Sequence, residues 1–306
     1  MAAKKKGVHI HIHLSHWQLL FVILVCMIPV IFGAHALYAF YQANFYDSSL
    51  NGSEIKENQQ QTIPQDVKRT INESFSPQQT FRVPILMYHY VEYVQDKGDK
   101  IRISLNTTPF ILEEEIKTLA AAGYTFMTSA ELADALDKKT TLPQKPIVLT
   151  FDDGYRDFYT DVLPILKKYH VKATEYVIAG FLNRPNHLLD TQITEILQSG
   201  LVEIGAHTVH HVWLKGKPLK EVTDEVAQSK TILERQFHIP VVSFAYPFGA
   251  FDEQAVYVVK SVGFKTSVST IPGIDASRSN RFFLFRLRPG ARTGQVLLDF
   301  LQKQTF

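Results

Sequence analysis

From Phe81 onward, short apolar runs alternate with stretches of helical period. The runs PILMYHYV at 84–91, IVLTF at 147–151, ATEYVIA at 173–179, VEIGAH at 202–207, VVSFAYP at 241–247, KTSVST at 265–270 and FFLFRLRP at 282–289 read as strands. Helices fill the intervals. The clearest starts at Thr108, with Pro109 at its first position, apolar residues at 112, 116 and 119, and Gly123 as its stop. Another spans about 219–237, where Val222, Val226, Ile232 and Leu233 can form a buried stripe. Regular β-α alternation over about 220 residues predicts an α/β fold with a parallel sheet and helices outside. Periodicity alone does not choose between a barrel and a doubly wound sheet.

Before Phe81 the pattern is different. Residues 19–41 read LLFVILVCMIPVIFGAHALYAFY, with no Asp, Glu, Lys or Arg, and are long enough to cross a bilayer. Lys4, Lys5 and Lys6 precede this segment, so the positive-inside tendency puts the tail, 1–18, in the cytoplasm and the rest outside the cell. The expectation is a single-pass anchor at the cell membrane. A cleaved signal peptide is the alternative, because Ala34-His35-Ala36 is a small-x-small site. Residues 42–80, rich in Gln, Asn, Ser and charge, read as an extracytoplasmic spacer, and 81–306 as the functional domain. The three tail lysines account for the small positive total, since 29 basic and 30 acidic residues remain after them. Nothing in that balance suggests a phosphate-binding surface, so no nucleic-acid partner is expected. The only cysteine, Cys26, lies in the apolar segment, so the exported part has no internal disulfide.

Three clusters carry candidate chemistry. Asp152-Asp153-Gly154 closes a strand, where α/β folds build their sites, although Asp and Gly also make ordinary caps and turns. His207 and His211 are four residues apart, a spacing that lets two imidazoles share one metal ion or serve as ordinary polar residues. Two imidazoles and a carboxylate would leave zinc the open positions that hydrolysis needs. Phe244-Ala245-Tyr246-Pro247-Phe248-Gly249 closes another strand, and by itself reads as core followed by a bend.

Taken in order, Thr150-Phe151-Asp152-Asp153-Gly154, His207-Thr208-x-x-His211 and Tyr246-Pro247-Phe248-Gly249 resemble the motifs of the NodB-type polysaccharide deacetylases, carbohydrate esterase family 4. The resemblance covers about 81–301. It implies a distorted (β/α) barrel with fewer than eight regular units around a divalent metal, usually Zn2+. It makes Asp153, His207 and His211 the metal ligands and Asp152 the general base. The backbone N–H of Phe248 would stabilise the oxyanion, with Tyr246 beside it at the substrate. His210 matches no ligand position. Trp213 could stack on a sugar or lie in the core.

Two departures from the family pattern stand out. Ala245 occupies the position where many members carry an Arg that pairs with the catalytic Asp, which leaves Arg286 and Arg288 as candidates to orient Asp152. The usual Leu-x-His motif is also missing near the C-terminus. His89 ends the first strand instead, and barrel closure makes first and last strands neighbours. In this the chain resembles the subgroup acting on poly-β-1,6-N-acetylglucosamine of biofilm matrix, which implies His89 as general acid. The expected partner is an extracellular amino-sugar polymer, with peptidoglycan or chitin-type chains as alternative substrates. The missing Arg leaves open a catalytically silent carbohydrate-binding protein. His9, His11, His13 and His16 could bind metal but precede the anchor.

Overall fold

The computed structural model describes residues 79–304, so the apolar segment 19–41, the tail with its histidines and nearly all of the spacer lie outside the described residues. The strands are β1 (Phe81–Arg82), β2 (Ile85–Tyr88), β3 (Thr125–Met127), β4 (Pro146–Asp153), β5 (Ala173–Val177), β6 (Val202–Ala206), β7 (Ser243–Ala245), β8 (Thr266–Val268) and β9 (Asp275–Ala276). The α-helices are α1 (Lys100–Leu105), α2 (Pro109–Ala121), α3 (Ser129–Leu136), α4 (Leu163–Tyr169), α5 (Asp190–Gln198), α6 (Leu219–Phe237), α7 (Glu253–Ser261) and α8 (Gly294–Gln302).

Strands β2 to β8 make one parallel sheet in the order β2-β4-β5-β6-β7-β8, with β3 also paired to β4. This half-barrel of parallel strands is consistent with the α/β fold that the motif resemblance implies. All eight residues of β4 are buried, because helices cover one face of the sheet and the side chains of the barrel interior cover the other. Phe151, Leu149 and Ile147 of β4 pack outward with Leu112, Ile116 and Leu119 of α2, while Val148 joins Ile85, Tyr176 and Val268 inside.

The helices at 109–121 and 219–237 form where the pattern puts them. Thr108 caps α2 by accepting from Ile111 N at 3.3 Å, and Pro109 occupies its first turn, where no intrahelical N–H is needed. On α6, Val222, Val226 and Leu233 are buried as expected, and Ile232 is only partly so.

The run 282–289 does not form the expected strand. Leu284 bridges to Val268 of β8, whereas Leu287 bridges to Leu86 of β2. Leu287 N donates to Ile85 O at 2.8 Å and Met87 N to Leu287 O at 2.9 Å. The segment thus changes partners partway along, and no continuous ladder develops on either side. It still brings the end of the domain against its beginning, as the placement of His89 requires.

Candidate active site

Adjacent residues of a strand normally face opposite sides of the sheet, so Asp152 and Asp153 could not both enter one cleft from regular β-structure. The chain breaks that rule at Asp153, whose φ is 82°, and continues at Gly154 with φ 72°. Asp tolerates a left-handed backbone better than most residues, and glycine tolerates it without cost. Both carboxylates are buried beside His89 and His207.

Asp152 is gripped by Arg286. Nη1 donates to Oδ1 at 2.8 Å and Nη2 to Oδ2 at 2.7 Å, a two-pronged pair with both side chains almost inaccessible to water. Arg286 is held in turn, with Nε donating to Ser269 O at 2.7 Å and Nη1 to Thr150 Oγ1 at 3.1 Å. Burial works against the Asp152 charge, but the guanidinium outweighs it and keeps the carboxyl below its usual pKa. Arg286 therefore stands where an Arg at position 245 would be redundant. Arg288, the other candidate, is exposed.

His89 Nε2 lies 4.0 Å from Asp152 Oδ2. Burial lowers the His89 pKa, while the Asp152 and Asp153 carboxylates pull the other way, towards the protonated ring.

Asp153, His207 and His211 converge. One donor atom from each lies within 4.8 Å of the others, with His207 Nε2 3.4 Å and His211 Nε2 3.2 Å from Asp153 Oδ1. His207 Nδ1 meets Ala245 O at 2.7 Å, and since a carbonyl can only accept, Nδ1 carries the hydrogen and the Nε2 of the neutral ring keeps its lone pair. Asp153 Oδ1 is buried and, among the described residues, has no hydrogen-bond partner. An unpartnered buried carboxylate oxygen facing two imidazole nitrogens at this spacing calls for a cation between them, so the residues present fit a divalent metal. Burial depresses the His211 pKa to about 4, aided by His207, which keeps that imidazole neutral and able to ligate.

An aromatic ledge borders this cluster. Phe248, 58% exposed with φ 59°, lies with its ring 4.5 Å from that of His211 and 5.9 Å from Trp213, itself 51% exposed. Both rings are thus open to a ligand, which removes the core reading of Trp213. Tyr246 is the correction to the expected set. It is 1% exposed, and its hydroxyl donates to Phe282 O at 2.9 Å, so the side chain is committed to the core. His210 points away from the cluster to Glu225, in keeping with its exclusion from the ligands. The sequence motifs include Thr150 without giving it a role, and do not include Glu225. Thr150 could have been found from strand parity, since it lies two residues before Asp152 on the same face, whereas Glu225 left no local signal.

A sequence model described as polysaccharide deacetylase matches residues 139–267. The chain is 31% identical over 207 residues to YxkH of Bacillus subtilis, which carries a polysaccharide deacetylase name, over 68% of this chain and 71% of that one. It is 25% identical over 280 residues to a poly-beta-1,6-N-acetyl-D-glucosamine N-deacetylase of Staphylococcus aureus, covering 87% of this chain and 91% of the relative. Among solved structures, the Streptococcus pyogenes deacetylase PplD in complex with acetate aligns with a TM-score of 0.68 at 29% identity, over 74% of this chain and 100% of that one.

Proposed function

The chain belongs to the polysaccharide deacetylase family, and from that premise we propose that it hydrolyses N-acetyl groups of an extracellular poly-β-1,6-N-acetylglucosamine at a metal centre formed by Asp153, His207 and His211. The observation that carries the chemistry is the convergence of those three donors around the unpartnered Asp153 oxygen, beside a carboxylate locked by Arg286. The β-1,6 linkage is supported by the likeness to the Staphylococcus aureus enzyme over most of both chains.

A bound divalent ion, zinc by the preference of two imidazoles and one carboxylate, would polarise the acetamide carbonyl and acidify the attacking water. Asp152 takes a proton from that water. Its grip by Arg286 keeps it ionised and aimed, so it is an acceptor at rest. His89 gives a proton to the departing amine, which is otherwise a very poor leaving group. Burial lowers the His89 pKa on balance, and the Asp152 and Asp153 charges offset part of that cost of the protonated ring that this step needs. The backbone N–H of Phe248 stabilises the oxyanion, and the exposed faces of Phe248 and Trp213 hold the sugar. With Arg286 supplying the pairing that Ala245 lacks, the chief sequence argument for a silent protein falls away.

On the same reading segment 284–287 takes the place of the last strand in a distorted barrel, residues 19–41 anchor the chain with its N-terminus inside, and the domain works outside the cell. Support for the anchor is the uncharged apolar run behind three lysines. The substrate assignment is tested by incubating the protein with β-1,6 and β-1,4 N-acetylglucosamine oligomers and measuring free amine. Faster release from the β-1,6 series is expected. Preference for β-1,4 oligomers would transfer the activity to a peptidoglycan or chitin-type substrate.

A further inference from the structure

Ligand His211 is presented by a loop that is costly to hold. Between His207 and His211 two non-glycine residues have left-handed φ, 63° at Thr208 and 56° at His211. A β-branched residue there is strained, and such backbone persists only when its surroundings over-determine it. Part of that constraint comes from the helical turn that follows β5, where Ala179 N donates to Thr208 O at 3.0 Å and Gly180 N to Val209 O at 2.9 Å. Gly180 permits the approach, because a Cβ there would meet Val209 O at 2.5 Å. Thr208 Oγ1 also accepts from His211 N at 2.9 Å.

The remaining restraint reaches in from α6. Glu225 Oε2 accepts from Val209 N at 2.9 Å and His210 N at 3.0 Å, and Oε1 meets His210 Nδ1 at 2.7 Å. The Glu225 side chain is only 11% exposed. One carboxylate thus engages two of the three residues between the ligand histidines, and the side chain of the second.

We propose that Glu225 is a positioning residue of the metal centre, clamping the 207–211 loop so that His211 keeps the orientation in which it ligates beside Asp153 and His207. The proposal rests on the metal-centre reading above. It gives His210 a part as well: its ring completes the carboxylate's hydrogen bonds. Glutamine in place of Glu225 retains the shape but removes the charge that strengthens all three hydrogen bonds, and its NH2 group can face His210 only if Nδ1 gives up its hydrogen.

The test is cobalt titration of the full-length protein and its Glu225→Gln, Glu225→Ala and His210→Ala variants, read by binding and by the ligand-field spectrum of the bound ion. Loss of an outer partner typically weakens metal binding by about 10–100-fold, and that weakening is expected for both Glu225 variants, with a shifted cobalt spectrum. His210→Ala, which leaves both backbone bonds in place, should change affinity less. Deacetylation by the Glu225 variants should recover as cobalt approaches saturation. Circular dichroism identifies the variants that fold, and Glu225→Gln, the isosteric change, carries the test if Glu225→Ala does not. A folded Glu225 variant with wild-type cobalt affinity and spectrum would overturn the proposal. A wild-type protein that binds no cobalt would instead overturn the metal-centre reading beneath it.

Discussion

Asp152 and Arg286 form a deeply buried ion pair, and the pair orients the base through two hydrogen bonds at once. Lysine can replace the charge of Arg286 but not the planar fork. Arg286→Lys should therefore lower kcat at least tenfold while the protein still folds, measured by steady-state amine release with a thermal melt as control. Unchanged kcat would show that the fork is dispensable. His89→Ala should keep the fold and bound metal and lose about 10²–10⁴-fold in turnover, the usual worth of general acid catalysis. Near wild-type turnover in a folded, metal-loaded variant would remove His89 from the role. The motif residues were legible as residue types at known spacings. Arg286 could not be separated from Arg288, because residues two apart on an extended segment share a face and differ only in depth. What separates them is that Leu287 bridges β2, which seats Arg286 inside, next to Thr150.

At the scale of elements, α2 buries an ionisable side chain. Glu115 is the last of three consecutive glutamates, yet it is fully buried beside Leu112 and Ile116, and Tyr88 of β2 donates to its Oε2 at 2.7 Å. Burial pushes its pKa up to about 8, against the pull of the tyrosine hydrogen bond. The unfolded chain binds this proton only below roughly pH 4.3. Between that pH and about 8 the folded state holds the extra proton, so the stability it contributes is complete at low pH and declines as pH rises through the window. The decline can reach about 1.4 kcal/mol per pH unit. Urea unfolding at pH 6 and pH 8 should therefore show wild type losing stability that Glu115→Gln keeps. Parallel losses in the two proteins would contradict the assignment. The periodicity revealed the helix and hid the glutamate, because a helical pattern ranks faces by their majority. It also promised a strand at 282–289, since an apolar run records burial and says nothing of whether one partner or two supply the hydrogen bonds.

For the whole molecule, the β-α alternation along the chain was enough to foretell a parallel α/β domain. The sequence could not show how the last segment closes on the first strand, nor that Glu225 on α6 holds the histidine loop, because both depend on contacts between residues far apart in the chain. The proposed topology has its own check. Protease added to intact cells should release or destroy the domain and leave the anchor behind, whereas a protected domain with an accessible histidine-rich tail would reverse the orientation. The central claim is that Asp153, His207 and His211 hold a metal without which the N-acetyl group is not hydrolysed. Its most direct test measures acetate release from a β-1,6 N-acetylglucosamine oligomer, alongside the metal content of the same protein samples, before chelation, after it and after zinc is restored. Acetate release should vanish with the metal and return with it, and His211→Ala should lose both; full activity in demonstrably metal-free protein would contradict the account.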